Sequence, residues 1–357
     1  MRSSIQDLIP YDPGMTIEQL EQKVGKKIIK LSSNESLRGP PPSVRDALQN
    51  SITQLKFYPD GAAQELKKAL SKLWALPVES FCLGNGADEV IQMLATAFLN
   101  PGDEVVIPTP TFSSYSSSVT IVGGKAIFLP QKELVFKLEE IAKVLHPKVK
   151  IVFLCNPNNP TGTIFSHTNL ELFLEKVPVE TLVVLDEAYC QYATEPNFPR
   201  SPELLKKYPN LIILRTFSKV YSLAALRVGY AVAAKEVIRE LEKIRQPYNV
   251  NTLAQMMATT ALQDEEYIQN VIGETVQERE WLTKELSQRG LTVLPSQANF
   301  LLVKVNNAAV VCEKLLQEGI LVRNTASFGL PEWFRITLGQ HELVEQFLKS
   351  IDMILYD

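Results

Sequence analysis

The 357-residue chain is poor in the residues that build histidine-based, zinc and disulfide sites, with only three histidines and four cysteines. His146, His167 and His341 lie far apart in polar segments, which argues against a histidine triad or a zinc site. The cysteines have no paired spacing, and three of the four lie in or beside apolar runs, which favours buried, reduced thiols and a cytoplasmic location. They are Cys82, Cys155, Cys190 and Cys312.

The sequence also lacks long apolar runs and an excess of basic charge. No run approaches the ~20 residues of a membrane helix, and the first residues lack the apolar core of a signal peptide. The net charge of −4 argues against nucleic acid as the main partner. With 45% hydrophobic and 21% charged residues, the composition is that of a globular protein long enough for two domains. We therefore expect a small-molecule partner and no membrane.

Short apolar runs alternate with helical patterns from residue 104 to residue 233, and this alternation is typical of α/β proteins. It predicts a large domain with a mostly parallel sheet that helices cover on both faces. The expected large domain spans 31–255, and the chain ends, 1–30 and 256–357, form a smaller α+β domain. The predicted strands are Glu104–Ile107, Ala126–Leu129, Lys150–Leu154, Leu182–Leu185, Leu211–Leu214 and Val228–Ala233. In such sheets the ligand site lies at the carboxyl ends of the strands.

Lys219 follows one of these strands, in a stretch with short hydroxyl side chains and a second apolar run behind it. Burial of a lysine disfavours its charged form and lowers its pKa. An amine in that state can form a Schiff base with a carbonyl compound. Taken alone, however, a Ser-Lys pair is more often part of an exposed turn.

Polar residues follow two other strands. Asp186 ends a buried strand, where a carboxylate needs a positive partner such as the protonated nitrogen of a pyridine ring. Tyr189, three residues later, could bond the phenolic oxygen of that ring. Asn159 lies in a proline-rich turn that, taken alone, is more typical of a protein surface than of a binding site. Phe112 could lie flat on an aromatic cofactor or be one more core aromatic.

A glycine turn, Gly84-Asn-Gly86-Ala-Asp88, precedes another predicted helix. Free backbone amides at a helix start favour a phosphate group. The turn is not a dinucleotide fingerprint, because Glu89 replaces the third glycine, and it lacks the Gly-Lys pair of a P-loop. An ordinary helix cap explains this turn equally well.

Taken together, three motifs resemble those of the pyridoxal-phosphate-dependent aminotransferases of fold type I (class II aminotransferases). They are Asn159-Pro-Thr-Gly162, Asp186-Glu-Ala-Tyr189, and Ser218-Lys219 with Arg227 eight residues later. The resemblance covers nearly the whole chain and implies a seven-stranded type of sheet.

The resemblance also implies roles for individual residues. Lys219 would bind pyridoxal 5'-phosphate covalently and move the substrate α-proton, and Asp186 would keep the ring nitrogen protonated. Tyr189 and Asn159 would bond the ring hydroxyl, and Phe112 would cover the ring. The phosphate would be held by Gly86, Ala87, Asp88, Thr216, Ser218 and Arg227.

Further segments resemble the histidinol-phosphate aminotransferase branch of this family. These are residues 10–14, 30–35 and 58–60, and Val322-Arg323 ahead of Phe328-Gly-Leu-Pro331. The likeness implies that Tyr11, Asn34, Arg323 and Arg335 surround the substrate, with the two arginines on its phosphate. It also implies a homodimer in which Tyr58 reaches the neighbouring active site.

The expected activity is a reversible, ping-pong amino transfer between L-histidinol phosphate and 2-oxoglutarate in histidine biosynthesis. Three departures from that branch lie near the substrate: Ser36-Leu-Arg38, Phe112 in place of tyrosine, and Asn324-Thr325. They leave two rivals open. One is an aromatic amino-acid aminotransferase, and the other is a related phospho-amino-acid decarboxylase. A cofactor-sensing regulator is disfavoured because no segment is spare for a DNA-binding module.

Overall fold

The structure is a computed structural model that describes residues 3–6, 8, 10 and 14–356. Its strands are β1 Ile29–Lys30, β2 Phe81–Gly84, β3 Glu104–Thr109, β4 Lys125–Pro130, β5 Val149–Cys155, β6 Leu182–Asp186, β7 Leu211–Thr216, β8 Gly229–Val232, β9 Thr292–Val293, β10 Phe300–Lys304, β11 Ile320–Leu321, β12 Arg323–Asn324 and β13 Trp333–Thr337. Its α-helices are α1 Ile17–Val24, α2 Pro42–Ser51, α3 Gln64–Trp74, α4 Ala87–Phe98, α5 Ser114–Val122, α6 Leu138–Lys143, α7 His167–Leu174, α8 Ser201–Lys207, α9 Lys235–Ile244, α10 Thr252–Ala261, α11 Glu265–Gln288, α12 Ala308–Gln317 and α13 His341–Tyr356.

A seven-stranded sheet with the strand order β2-β8-β7-β6-β5-β3-β4 forms the centre of the molecule. Neighbouring strands from β4 to β7 pair in parallel, whereas β8 runs antiparallel to both β7 and β2. The prediction of a mostly parallel sheet is therefore confirmed. Since parallel strands share a direction, the carboxyl ends of β5, β6 and β7 meet at one edge of the sheet.

Two apolar cores, one on each face, hold helices against this sheet. Successive residues of a strand point to opposite faces, so a strand buried on both sides needs apolar residues throughout. Strands β5 to β7 have that composition. One core contains Ile151, Phe153, Val184, Ile212 and Leu214. The other contains Val152, Leu154, Val183, Leu185, Leu211 and Ile213.

The two ends of the chain meet in a third apolar core. An antiparallel sheet of order β12-β13-β10-β9 lies here, and β1 from the N-terminal part pairs with β11 in parallel. Leu31 is fully buried in this core together with residues of α11 to α13. Helix α1 begins with a capping box, since Thr16 Oγ1 accepts from the Gln19 amide and Gln19 Oε1 accepts from the Thr16 amide.

Most predicted strands and helices from residue 104 to residue 233 lie within a few residues of their observed bounds. The sequence analysis missed helices α9 and α10 and the two-residue strand β12. Residues 254–261 of α10 lie in a core of the large sheet, although the expected large domain ends at residue 255. The exact division into domains stays a prediction. Within the described residues, no helix has the length and apolarity to cross a membrane, and no group of His, Cys, Asp and Glu is placed to hold a metal.

A buried ion pair joins β6 and β7 on the face away from the strand-end residues Asp186 and Thr216. Glu187 follows Asp186 and is fully buried, and it accepts a 2.8 Å hydrogen bond from Nε of Arg215. Its other oxygen accepts from the hydroxyl of Ser201. Both carboxylate oxygens are thus satisfied, which is what a buried charge requires.

Replacing Arg215 by alanine would leave the Glu187 carboxylate buried without its charge partner. We expect the free energy of unfolding, measured by urea denaturation, to fall by roughly 3–5 kcal/mol. The matched control is Lys68→Ala, which removes an exposed pair with Glu65 and should leave the free energy of unfolding nearly unchanged. Equal losses in the two variants would contradict this account.

Candidate active site

The polar residues predicted from the strand ends come together at one edge of the large sheet. Asp186 is the last residue of β6, and Thr216 is the last residue of β7. The turn that contains Asn159 follows β5, and Lys219 lies three residues beyond β7. The parallel course of these strands brings segments that are far apart in sequence to the same place.

Asp186 is a buried carboxylate with two hydrogen-bond donors and no cationic partner. It is 5% exposed. The hydroxyl of Tyr115 donates to its Oδ2 across 2.7 Å, and the amide of Ala188 donates to its Oδ1 across 3.0 Å. Burial raises the pKa of Asp186 to about 6, and the bond from Tyr115 opposes that rise. Among the described residues, no lysine, arginine or histidine pairs with it within 4 Å, so a cation could still be accommodated there.

Lys219 lies near enough to this carboxylate to act on it electrostatically, and it is partly exposed. Its amine donates to the carbonyl oxygen of Ser33 across 3.4 Å and lies 5.3 Å from the centre of the Tyr189 ring. Burial, followed by the charge of Arg335, lowers the pKa of Lys219 to about 8, while the charge of Asp186 opposes that shift. A larger fraction of this amine is therefore neutral near neutral pH than in an exposed lysine, and the neutral form is the nucleophile.

The start of α4 and the segment after β7 form a cradle of donors. Gly86 precedes α4 with a φ of 81°, and a Cβ built there would lie 2.5 Å from Nη2 of Arg227. Arg227 donates to the Ser218 hydroxyl across 3.4 Å and to Asp88 Oδ2 across 3.2 Å. The Thr216 hydroxyl accepts from the Ser218 amide across 3.1 Å. Helix-start amides, hydroxyls and a guanidinium in one place suit a phosphate.

Tyr189 and Asn159 each bond a residue that was predicted to contact substrate. The amide nitrogen of the Asn34 side chain donates to the Tyr189 hydroxyl across 3.0 Å. Nη1 of Arg335 donates to Oδ1 of Asn159. Because Asn34 and Arg335 both belong to segments around the third core, these bonds connect that part of the chain to the segments after β5 and β6.

Arg335 and Arg323 are cross-strand neighbours on β13 and β12, and neither forms an ion pair with a carboxylate in the described part of the chain. Arg335 is 5% exposed, and its Nε is buried without a hydrogen-bond partner. Its other nitrogens donate to Asn159 and to the carbonyl oxygen of Ser32. Burial lowers the pKa of Arg335 to about 10, and the charge of Arg323 adds to this effect. Two cations this close, one with an unused donor, favour an anion.

Three predicted residues remain: Tyr58, Phe112 and Tyr11. Tyr58 is 82% exposed and stacks on Tyr248 with ring centres 4.9 Å apart. Phe112 is half-buried and meets the Tyr115 ring edge-on, with ring centres 5.7 Å apart. Tyr11 lies outside the described residues.

Tyr115 and Asn299 are residues of the site that the sequence analysis missed. Tyr115 lies three residues beyond Phe112, in the first turn of α5, and was not singled out from the sequence. Asn299 is buried and donates to the backbone oxygen of Asn34 across 3.1 Å. Its position just before β10 was a usable signal, because polar residues beside buried strands need partners.

A cavity of about 340 Å³ lies on the opposite face of the sheet. Its lining includes Leu73, Trp74, Arg215, Tyr221, Glu265 and Ile268. The charge of Arg215 is already balanced by Glu187. The cavity contains none of the strand-end residues described above, so we do not place the chemistry there.

Comparison with known proteins points in the same direction as the geometry. Residues 26–351 match the model of the family described as aminotransferase class I and II. A curated protein of Carboxydothermus hydrogenoformans, named histidinol-phosphate aminotransferase 2, is 41% identical over 99% of this chain and 99% of its own length. A histidinol-phosphate aminotransferase of Moorella thermoacetica is 41% identical over 99% of this chain and 92% of its own.

Among solved structures, the chain is similar to the histidinol-phosphate aminotransferase of Sinorhizobium meliloti in complex with pyridoxal-5'-phosphate. The TM-score is 0.90 and the sequence identity is 27%, over 99% of this chain and 98% of the other. The fold, and not only the local motifs, is therefore shared.

Proposed function

The chain belongs to the aminotransferase class I and II family, and on that premise we propose that it transfers an amino group reversibly between L-histidinol phosphate and 2-oxoglutarate. The observation that carries this proposal is the pairing of two features. A buried carboxylate, Asp186, acts electrostatically on a low-pKa amine, Lys219. The charge of Arg335 also acts on Lys219, and Arg335 and its cross-strand neighbour Arg323 have no carboxylate partner among the described residues. The curated relatives at 41% identity bear the corresponding name.

The residues present fit pyridoxal 5'-phosphate. Asp186 lacks a cation, and the Gly86 to Asp88 turn with Ser218 and Arg227 offers donors to a phosphate. We propose that these residues, with Ala87, Thr216, Asn159 and Tyr189, hold the cofactor, and that Phe112 covers its ring. When bound, the cofactor supplies an electron-withdrawing ring that stabilises negative charge on the substrate carbon.

The side chains of this chain would then have separate tasks. Lys219, with a pKa lowered to about 8 by burial, can take the α-proton of the substrate and return it near neutral pH. At pH values above its pKa of about 6, Asp186 would carry the negative charge that pairs with the ring nitrogen. The Tyr189 hydroxyl is oriented by the Asn34 amide across 3.0 Å.

The arginine pair explains the choice of a phosphorylated substrate. A phosphate carries more charge than a carboxylate and can accept several donors at once. We propose that Arg323 and Arg335 bind the substrate phosphate, with Asn34 and Tyr11 beside the rest of the molecule. The unused Nε of Arg335 supports this assignment, since a buried donor without a partner is costly unless a ligand satisfies it.

The rival activities place a different anion or a different bond at the same site. An aromatic amino-acid aminotransferase would bring a carboxylate to the arginines, and a phospho-amino-acid decarboxylase would release carbon dioxide. Residues 36–38, Phe112 and Asn324-Thr325, which depart from the usual pattern, lie in segments near the proposed substrate. The choice among the three activities therefore needs a direct comparison of substrates.

We expect kcat/KM for L-histidinol phosphate to exceed that for phenylalanine and tyrosine by on the order of a hundredfold or more. The reason is that the two arginines can pair with the phosphate and donate hydrogen bonds to it. Arg323→Gln should lower kcat/KM for L-histidinol phosphate and leave that for L-histidinol little changed. Arg200→Gln, which alters an exposed arginine paired with Glu203, is the control. A preference for the aromatic amino acids, or release of carbon dioxide, would refute the assignment.

We also propose that the active form is a homodimer in which Tyr58 completes the neighbouring site. Tyr58 is 82% exposed, and Ile52, Leu55 and Phe57 just before it are 58–65% exposed. Exposed apolar residues this close together are typical of a surface that another chain covers. The stacking of Tyr58 on Tyr248 keeps the ring at the surface of its own chain, where a partner could use it.

Complementation between inactive variants tests this arrangement. Tyr58→Ala and Lys219→Ala should each be nearly inactive alone, whereas exchange of subunits should restore about a quarter of the wild-type rate, since one site in four then has both residues. A mixture of Lys219→Ala with Asp186→Asn is the matched control and should stay inactive, because no site is complete. The same inactivity in the first mixture would show that Tyr58 does not act across an interface.

Two broader assignments are proposals on the same footing. We propose that the enzyme acts in histidine biosynthesis in the cytoplasm, which suits its four unpaired cysteines. We further propose the division into a large cofactor-binding domain, 31–255, and a small domain from residues 1–30 and 256–357. The separate apolar core of the chain ends supports that division in outline.

A further inference from the structure

Tyr115 contacts Asp186 and two aromatic residues, Phe153 and Phe112. Its side chain is fully buried, and its hydroxyl donates to Asp186 Oδ2 across 2.7 Å. Its ring stacks on Phe153 at 4.7 Å with an interplanar angle of 8°. The edge contact with Phe112 completes its surroundings. A tyrosine packed on both sides has a single position available, so the direction of its hydroxyl is fixed.

The two donors to Asp186 approach different oxygens. Tyr115 donates to Oδ2 and the Ala188 amide to Oδ1. A carboxylate has about four acceptor positions, so two donors fix its plane and leave further positions free. The amide belongs to the backbone and cannot vary with the sequence. Tyr115 is therefore the side chain through which the sequence controls this carboxylate.

We propose that Tyr115 is the positioning residue for Asp186, whose carboxylate it orients and keeps ionised so that the carboxylate can pair with the ring nitrogen of pyridoxal phosphate. This inference rests on the proposed function. Tyr115 acts through Asp186 and does not itself need to touch substrate or cofactor.

The electrostatics of the surroundings agree with this role. The titratable groups that act on Asp186, or respond to it, are Tyr115 on α5, Asp88 on α4, Cys155 on β5, Tyr189 and Cys190 after β6, and Lys219 after β7. Burial raises the pKa of Asp186 to about 6, and Tyr115 is the first influence that lowers it. Burial and the charge of Asp186 raise the pKa of Tyr115 well above its usual value, so the phenol remains a donor.

A donor stabilises the ionised carboxylate, so its loss raises the pKa of Asp186 and leaves the acid protonated over a wider range of pH. A protonated Asp186 has no charge with which to hold a cationic ring nitrogen. Loss of the Tyr115 hydroxyl should therefore weaken cofactor binding as well.

The test is the variant Tyr115→Phe, which keeps the stacked ring and removes only the hydroxyl. Protein free of cofactor and labelled with 13C at aspartate carboxyls is titrated by NMR, and Asp186→Asn identifies the resonance. We expect the midpoint of Asp186 to rise by roughly one unit. The matched control is Tyr230→Phe, which deletes another buried hydroxyl, the acceptor of a 3.2 Å bond from Trp74. It should leave the midpoint unchanged.

Binding provides the second measurement. At about pH 5, below both midpoints, the dissociation constant for pyridoxal phosphate should increase about tenfold in Tyr115→Phe, the factor that corresponds to one unit of pKa, and above about pH 8, where Asp186 is ionised in both proteins, the change should be small. The dissociation constant should stay the same as in wild type in Tyr230→Phe at both pH values. If Tyr115→Phe does not fold, 3,5-difluorotyrosine at position 115 keeps the shape and makes a stronger donor, so the Asp186 midpoint should fall.

The outcomes separate this inference from the proposed function. An Asp186 midpoint that is the same in wild type and Tyr115→Phe, or one that does not fall with difluorotyrosine, would overturn the role of Tyr115 while wild type still binds the cofactor. Wild-type protein that does not bind pyridoxal phosphate would overturn the proposed function itself. A shift of equal size in Tyr230→Phe would mean that the effect is not specific to Tyr115, and it would also overturn the inference.

Discussion

Asp186 is a carboxylate that is buried without a counter-ion among the described residues, and the candidate site is arranged around it. Asp186 ends a strand whose other residues are apolar, and burial raises its pKa to about 6. Two hydrogen bonds reduce the cost of its charge but do not neutralise it. Burial also disfavours the charged form of the nearby Lys219 amine, and it lowers the pKa of that amine to about 8. A bound cationic ring with a reactive carbonyl would satisfy both groups, which is why the pair favours a pyridoxal cofactor.

The parallel sheet makes this arrangement possible. Side chains alternate between the two faces of a strand, so Asp186 and Thr216 lie at the proposed site while their neighbours Glu187 and Arg215 form an ion pair on the other face. The same two strands thus hold reactive groups at one surface and a stabilising contact at the other. The small antiparallel sheet then brings Arg323 and Arg335 across the opening. Through its bonds to Asn159 and Ser32, Arg335 connects the small sheet to the turn after β5 and to the segment after β1.

Much of this could be predicted from sequence because the informative signals are local. Strand runs, the Thr16 capping box and the motifs around Asn159, Asp186 and Lys219 each need only a few adjacent residues. The antiparallel course of β8 could not be predicted, since its sequence is as apolar as that of its parallel neighbours. Tyr115 was missed for a related reason. Its hydrogen bond joins residues 71 positions apart. The apolar pattern of a helix indicates that the ring is buried but carries no information about the partner of the hydroxyl.

The most direct test of the account is to locate the lysine that binds the cofactor. Wild-type protein loaded with pyridoxal phosphate is reduced with borohydride, which makes the bond between amine and cofactor permanent, and the peptides are then analysed by mass spectrometry. The account predicts the phosphopyridoxyl group on Lys219, and its loss from that peptide in Lys219→Ala. A label on another lysine, or no label in protein that has taken up the cofactor, would contradict the pairing of Lys219 with Asp186 on which the account depends.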